Sequence, residues 1–218
     1  ISPINSERVR KAIDRAVDSG IPVVATNADI DGTKRTCCVG INNRKAARIA
    51  GRLMGQFLGG TGKIAVVSSA IASENNNYYV QVRETEFADF IHKEYPDIEI
   101  ITTLDSFEDP QITYEKTVKL LRDYQDLQGI YITCGGVSQV GRALEESGRA
   151  KDIRVISFED YPEVVDLIRK DVIDCTLAGE LQQQGEIPVQ IIMDYLVFGK
   201  EPEQQQIFTD IRVLVKES

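Results

Sequence analysis

The stretch KIAVVSSAIASENNNYYVQVRETEFADFI, residues 63–91, sets a pattern that the rest of the chain repeats. Ile64 to Val67 form a short apolar run rich in valine, which is typical of a strand covered on both faces. A polar loop follows, and then Phe87, Phe90 and Ile91 lie at helical spacing. The stretch therefore predicts a buried strand, a loop at its carboxyl end and an amphipathic helix.

Apolar, strand-like runs alternate with helix-like segments along the whole chain. The predicted strands are 22–26, 37–41, 64–67, 98–102, 129–133, 153–158, 172–177 and 207–215, and the last predicted helix is 187–198. This alternation predicts an α/β fold in which parallel sheets are flanked by helices. No Gly-x-Gly-x-x-Gly or Walker-type loop follows a strand, so the usual kinds of nucleotide binding are not indicated.

Composition narrows the class of function. The chain has 218 residues, a formal net charge of -9 and no cluster of Lys and Arg, which argues against a grip on nucleic acid by this segment alone. No apolar run reaches the length of a membrane span. His92 is the single histidine, and no Ser/His/Asp set or metal-ligand spacing is visible. We therefore expect neither an enzyme nor a cofactor.

The four cysteines are Cys37, Cys38, Cys134 and Cys175. Neighbouring residues of a strand point to opposite faces, so Cys37 and Cys38 are poorly placed for a mutual disulfide. Disulfides and metal ligation are the alternatives, but the apolar surroundings favour buried free thiols. Free thiols favour a reducing, cytoplasmic location.

Several motifs in order carry a family resemblance. They are PVVATN at 22–27, VGINNRKAARIAGRLM at 39–54, VRETEFADFI at 82–91, VISFEDYPE at 155–163 and CTLAGELQQQGEIPVQIIMDYLVFGKEP at 175–202. Together they resemble the ligand-binding domain of lactose-repressor-type transcription regulators, which shares its fold with periplasmic sugar-binding proteins. The resemblance covers nearly the whole chain.

The resemblance implies a two-lobe, periplasmic-binding-protein-like (type 1) fold with a hinge between the lobes. The N-terminal lobe would be residues 1–41, completed by 184–202, and the C-terminal lobe 42–178, completed by 205–218. The family's domain opens with three strands and two helices before the segment equivalent to Ile1. On this interpretation the chain is a fragment, and we expect its partial N-terminal lobe to expose apolar surface.

The resemblance also implies a ligand site at the strand ends, where small ligands bind in such folds. The expected ligand-binding residues are Asn27, Asp29, Ser69, Tyr78, Arg83, Gly135, Glu159 and Glu180. Asn27 and Asp29 would come from one lobe, and Arg83 and Glu159 from the other. Gly135 and Gly136 replace the family's usual Asn-Asp pair, which leaves backbone N–H groups able to approach a ligand closely. The family's usual Gln near position 179 is replaced by Gly179, with Glu180 beside it.

Simpler roles remain open for these residues. Arg83 would form an ordinary helix-surface salt bridge with Glu84 or Glu86. Glu159 and Asp160 would cap the helix that begins at Pro162. Asn75 to Asn77 would be only a solvated loop, and Tyr78 would serve only in packing.

The first functional hypothesis is an effector-binding, homodimeric domain of a transcription regulator. Its effector would be a sugar or a sugar-like small molecule, and it would reach DNA only through a helix-turn-helix domain absent from this chain. The alternative is the sugar- or solute-binding component of an ABC importer. Neither hypothesis involves contact of this segment with a membrane.

Overall fold

A computed structural model describes residues 1–69, 78–107 and 109–218 of the chain. The predicted loop at Asn75 to Asn77 lies outside these residues. The helices are α1 (Glu7–Asp18), α2 (Asn43–Phe57), α3 (Tyr78–Glu94), α4 (Pro110–Asp123), α5 (Val137–Ser147), α6 (Pro162–Arg169) and α7 (Leu181–Phe198). The strands are β1 (Val24–Thr26), β2 (Cys37–Ile41), β3 (Thr61–Ser68), β4 (Asp97–Asp105), β5 (Leu127–Ile132), β6 (Arg154–Phe158), β7 (Cys175–Gly179), β8 (Gln206–Thr209) and β9 (Ile211–Leu214).

These elements form two compact units. Of the described residues, the first unit holds 1–42, 78–79 and 179–211, and the second unit holds the remainder. Strands alternate with helices in both units. The pairs β1–β2 and β2–β8 are parallel, and so are the pairs β3–β4, β3–β5, β5–β6 and β6–β7. The predicted α/β fold is confirmed. The hinge between the lobes and the lobe boundaries given above both stay predictions.

The second unit is built on a six-stranded sheet in the order β4-β3-β5-β6-β7-β9. Its strand β3 lies between β4 and β5, and Ile64 to Val67 are at most 1% exposed, as expected for a strand covered on both faces. One core cluster packs Val67, Ile130 and Val155 of the sheet against Leu144 of α5 and Leu167 of α6. The parallel strands β3, β5 and β6 bring their polar carboxyl ends to the same edge of the sheet.

The first unit is built on a three-stranded sheet in the order β1-β2-β8. Helix α7 supplies the apolar side chains that cover one face of this sheet. Ile187, Ile191 and Ile192 pack against the buried cluster of Val24, Cys37 and Val39. The first residue of the chain also joins this layer, because the Ile1 carbonyl accepts a hydrogen bond of 2.7 Å from the Thr26 amide.

Helix α7 begins at Leu181, six residues before the predicted start at Ile187. Pro188 lies inside the helix. Proline has no N–H, so the carbonyl of Gln184, four residues earlier, loses its helical donor. The Thr26 hydroxyl takes that place and donates to the Gln184 carbonyl at 2.8 Å. A partner from another element therefore allows proline in this helix.

The predicted final strand, 207–215, is two strands. Strand β8 pairs with β2 in the first unit, whereas β9 joins the edge of the sheet in the second unit. Asp210 separates them, and its carbonyl accepts a hydrogen bond from the Glu180 amide at 3.3 Å. Strand β7 also begins later than predicted, at Cys175. Val172 and Ile173 are core residues that precede the strand, so their apolar character reflects burial and not pairing.

All four cysteines are free and buried, as predicted. No helix in the described part of the chain combines the length and apolar character needed to cross a membrane.

Candidate ligand-binding site

Arg83 of α3 is held in a fixed orientation inside the second unit, where it is only 8% exposed. Its Nε donates to the Asn43 Oδ1 at 2.7 Å, and its Nη1 donates to the Thr133 carbonyl at 3.2 Å. The guanidinium carbon lies 3.9 Å from the centroid of the Phe158 ring, within the range of a cation–π contact. The surface salt bridge with Glu86 is not formed, because Glu86 pairs with arginines of α2.

The burial of Arg83 follows from its place in the helix. Val80, Arg83, Phe87 and Ile91 are three or four residues apart and all buried, so they form one face of α3. Arg83 is the polar member of this apolar face. That spacing is visible in the sequence and favours burial of Arg83 without any family resemblance.

Glu159 lies beside Arg83, just after β6. Its Oε1 is 3.9 Å from the Arg83 Nη2, and its side chain is 35% exposed. The backbone of Glu159 has φ +73°, a left-handed conformation that is uncommon for a residue with a Cβ. Two hydrogen bonds fix it there: the Glu159 amide donates to the Leu177 carbonyl at 2.8 Å, and the Thr176 hydroxyl donates to the Glu159 carbonyl at 2.7 Å.

The helix-capping alternative is not seen for either acidic residue. Tyr161 is the N-cap residue of α6, and no side chain caps that end. The Asp160 carboxylate instead accepts a hydrogen bond from the Arg212 guanidinium at 2.7 Å. The Glu159 carboxylate therefore faces Arg83 and solvent and does not serve the helix.

Ser69 and Gly135 follow the adjacent parallel strands β3 and β5. A Cβ added at Gly135 would meet no atom of the described residues within 4 Å, so among them the space beside this backbone is open. Gly136 differs, because it has φ +94° and a Cβ there would lie 2.8 Å from the Thr113 Cγ2. The turn therefore requires glycine at position 136 only.

In the first unit, Asn27 is exposed just after β1. Its φ is +62°, in the left-handed region that asparagine tolerates better than most residues, and its amide donates to the Val39 carbonyl at 3.0 Å. Within the described ranges its side-chain amide makes no hydrogen bond. Asn27 is thus available to a ligand, and that role stays a prediction.

Asp29, by contrast, is buried in a bidentate ion pair with Arg35 and also accepts from the Gln206 side chain at 3.2 Å. Burial alone raises the pKa of this carboxyl, but the hydrogen bonds and charge of Arg35, with smaller contributions from Gln206 and the Ile30 amide, hold the pKa below its ordinary value. Both carboxylate oxygens of Asp29 thus already accept hydrogen bonds from side chains of the protein. Sequence reasoning missed Arg35, the residue that neutralises it.

Tyr78 and Tyr79 begin α3, with ring centroids 5.8 Å apart. Tyr78 is exposed, whereas the Tyr79 hydroxyl lies 3.7 Å from the Cys38 thiol. Burial raises the pKa of Cys38 to about 11 and also raises the pKa of Tyr79 above its ordinary value. Both groups are therefore uncharged at neutral pH. The stacking of Tyr78 on a ligand stays a prediction.

Glu180 is the N-cap residue of α7, directly after Gly179. A Cβ at Gly179 would lie 2.3 Å from the Gln184 Nε2, so the absence of a side chain at 179 makes room for the Gln184 amide. Sequence reasoning missed this glutamine, which supplies a buried amide close to the position where the resemblance led us to expect one. In the described part of the chain, no group of three or more His, Cys, Asp or Glu side chains is arranged to hold a metal ion.

In the second unit, the oriented guanidinium of Arg83 and the carboxylate of Glu159 near the strand ends are suited to a small polar ligand. A sequence profile described as "Periplasmic binding protein domain" matches residues 1–201, and the chain belongs to this family.

Solved structures give the same fold. The arabinose-binding protein AraP of Geobacillus stearothermophilus has 27% identity and a TM-score of 0.86, over 100% of this chain and 76% of that protein. A sugar-binding protein of a sugar ABC transporter from Bacillus halodurans has 28% identity and a TM-score of 0.85, over 96% of this chain and 73% of that one. GanP, a glucose-galactose binding protein of G. stearothermophilus, has 22% identity and a TM-score of 0.88, over 99% and 75%, which supports the fold alone. The lactose-repressor-type assignment is not confirmed.

Proposed function

We propose that the protein is the sugar-binding component of an ABC importer. Arg83, fixed by Asn43 and Thr133 with Glu159 beside it, is the observation that carries the proposal. Two solved structures above 25% identity also support it, one of an arabinose-binding protein and one of a sugar-binding protein of a sugar ABC transporter.

The chemistry of Arg83 and Glu159 suits adjacent sugar hydroxyls. A hydroxyl both donates and accepts a hydrogen bond, so one hydroxyl can accept from the guanidinium while its neighbour donates to the carboxylate. Because the Arg83 fork is already oriented by protein partners, little conformational entropy is lost when the sugar binds. We propose binding without catalysis, so that sugar recovered from the complex is chemically unchanged.

Isothermal titration calorimetry with L-arabinose, D-xylose, D-glucose and D-galactose tests the proposal. We expect at least one of them to bind the wild type, and Arg83→Lys to weaken it by about 10- to 100-fold, since lysine keeps the charge and loses the fork. Arg169→Ala is the matched control, because that side chain is 68% exposed on α6 and should leave affinity unchanged.

Two results would contradict the proposal. One is the absence of binding to all four sugars by protein that unfolds cooperatively. The other is an Arg83→Lys variant with wild-type affinity. Titration of Asn27→Ala against the same sugar tests the separate prediction for that exposed amide.

The regulator hypothesis, with its DNA partner and homodimer, has no support in these comparisons. The cytoplasmic location stays a prediction. It was argued from free cysteines, but all four are buried and thus shielded from oxidants in any compartment. Cell fractionation tests it, and the proposed importer role favours recovery outside the cytoplasm.

A further inference from the structure

Phe158 gives Arg83 a contact of a different kind from its hydrogen bonds. The Asn43 Oδ1 and the Thr133 carbonyl accept from the Arg83 Nε and Nη1, at 2.7 and 3.2 Å. Two such contacts leave rotation about the line that joins them. The guanidinium carbon lies 3.9 Å from the centroid of the Phe158 ring, which is too short for an approach by the ring edge. The ring therefore presents its face to the guanidinium and opposes that rotation.

The Phe158 ring is itself held firmly. Phe158 is the last residue of β6, is 1% exposed and is paired in register with Leu177 of β7. The centroid of the Tyr131 ring lies 6.1 Å from that of Phe158, and Tyr131 in turn stacks on Phe87 at 4.0 Å. Because protein interiors are close-packed, the ring cannot move aside without disturbing this cluster. Phe158 is thus a rigid support for a side chain that comes from another element.

Electrostatics favours the same arrangement. The face of an aromatic ring carries the negative part of its quadrupole and attracts a cation. This attraction is stronger away from water, and Arg83 is only 8% exposed. It adds to the attraction of every other group that contacts Arg83.

We infer that Phe158 is a positioning residue for sugar binding, because its ring holds the Arg83 guanidinium in the orientation that receives sugar hydroxyls. This rests on the proposed function and adds a residue that acts through Arg83. The apparent dissociation constant of a sugar rises as the fraction of protein in the competent orientation falls. A role in packing alone would depend on the shape of the ring and not on the charge on its face.

Graded fluorination of the ring separates these two roles. Ring fluorine withdraws charge from the face and weakens a cation–π contact, while the ring keeps nearly the same shape. Phe158 is replaced by phenylalanine that carries one, two or three fluorine atoms, and each protein is titrated calorimetrically with L-arabinose, D-xylose, D-glucose and D-galactose. Phe90 with three fluorine atoms is the matched control. It lies on the same helix as Arg83, is partly exposed, and its ring centroid is 5.0 Å from the guanidinium carbon of Arg52.

A second measurement needs no sugar. The NMR order parameter of the Arg83 Nε–H bond reports how firmly the guanidinium is held, and its signal is assigned by its loss in Arg83→Lys. We expect about 0.85 in the wild type, as in a rigid group, and a value below about 0.6 when Phe158 carries three fluorine atoms.

We expect the dissociation constant of the bound sugar to rise with each fluorine atom on Phe158 and to reach about 5- to 30-fold with three. The Phe90 control should bind like the wild type. If the protein with three fluorine atoms is unfolded, the protein with one carries the test, with a smaller rise in the same direction.

The outcomes separate the inference from the proposed function. Unchanged affinity across the Phe158 series overturns the inference and leaves the sugar-binding function standing, and so does an order parameter that does not fall. An equal loss of affinity in the Phe90 control also overturns the inference, because the effect would then not be specific to the contact with Arg83. A folded wild type that binds none of the four sugars overturns the proposed function, and the role of Phe158 in sugar binding with it.

Discussion

Replacing Thr26 by valine is expected to lower the free energy of unfolding by about 1–2 kcal/mol. Valine keeps the shape of threonine and its suitability for a strand, so the lost feature is the hydroxyl that donates to the Gln184 carbonyl at 2.8 Å. Because Pro188 provides no N–H, that carbonyl has no helical donor to return to. Its loss of a partner therefore carries a larger penalty than the loss of a typical surface hydrogen bond.

A second substitution isolates this cause. Pro188→Ala restores the N–H four residues after Gln184, and in that background Thr26→Val should cost less than about 0.5 kcal/mol. Differential scanning calorimetry of the four proteins gives the comparison. Thr26→Val alone should reduce the Tm by about 2–8 °C for a chain of this size. Thr103→Val, at an exposed position of the edge strand β4, is the control and should change the Tm little.

The reasoning would be refuted if Thr26→Val reduced the Tm equally with and without the Pro188→Ala substitution. The hydroxyl would then act independently of the proline. An undiminished Tm in the single variant would show that the Gln184 carbonyl needs no partner.

Three further predictions concern the Gly135-Gly136 turn, Asp29 and the four cysteines. Gly135→Ala should change stability by less than about 0.5 kcal/mol, whereas Gly136→Ala should cost about 2 kcal/mol or more in urea unfolding, because position 136 is left-handed and crowded by Thr113. The folded pKa of Asp29 lies below its unfolded value, so its stabilising contribution is complete above about pH 5 and is lost as the pH falls through the folded pKa. Asp29→Asn should be less stable at pH 7 and should show a smaller loss between about pH 5 and pH 2 in acid unfolding. A thiol reagent at pH 8 should modify no cysteine in the folded protein and all four in urea, since burial raises the pKa of thiols such as Cys38 and blocks access.

The repeating strand–helix unit could be predicted because its signal is local. Continuous apolar runs and helical spacing lie within a few residues, and the fold follows from their alternation. The division of 207–215 between two sheets could not be predicted in this way. Strand β8 pairs with β2, far away in the chain, and the choice of partner is not encoded in the strand's own pattern. The start of α7 was wrong because the donor that tolerates Pro188 is Thr26, on another element.

Contacts between distant residues of the candidate site could not be predicted from local sequence patterns either. Arg83 and Glu159 were selected by family resemblance, and the structure brings them within 3.9 Å of each other. The groups that orient Arg83, on Asn43 and Thr133, are 40 and 50 residues away. Asn43 lies in the motif at 39–54, but that motif does not indicate its contact with Arg83. Asp29 illustrates the opposite error. A polar residue after a strand suggested a ligand contact, but Arg35, a few residues later, engages it within the protein.

The pairing of β2 with β8 also has a consequence for synthesis on the ribosome. Strands β1 and β2 and their buried cysteines emerge early, but the helix and strand that cover them are α7 and β8. Roughly 160 residues separate β2 from β8, which corresponds to on the order of 10–30 s at usual rates of translation. During that interval the apolar face of β1 and β2 has no native partner from the chain's own C-terminal part. The second unit lacks only the edge strand β9 of its sheet once β7 has been made, so the first unit should form its core later and depend more on chaperones during synthesis.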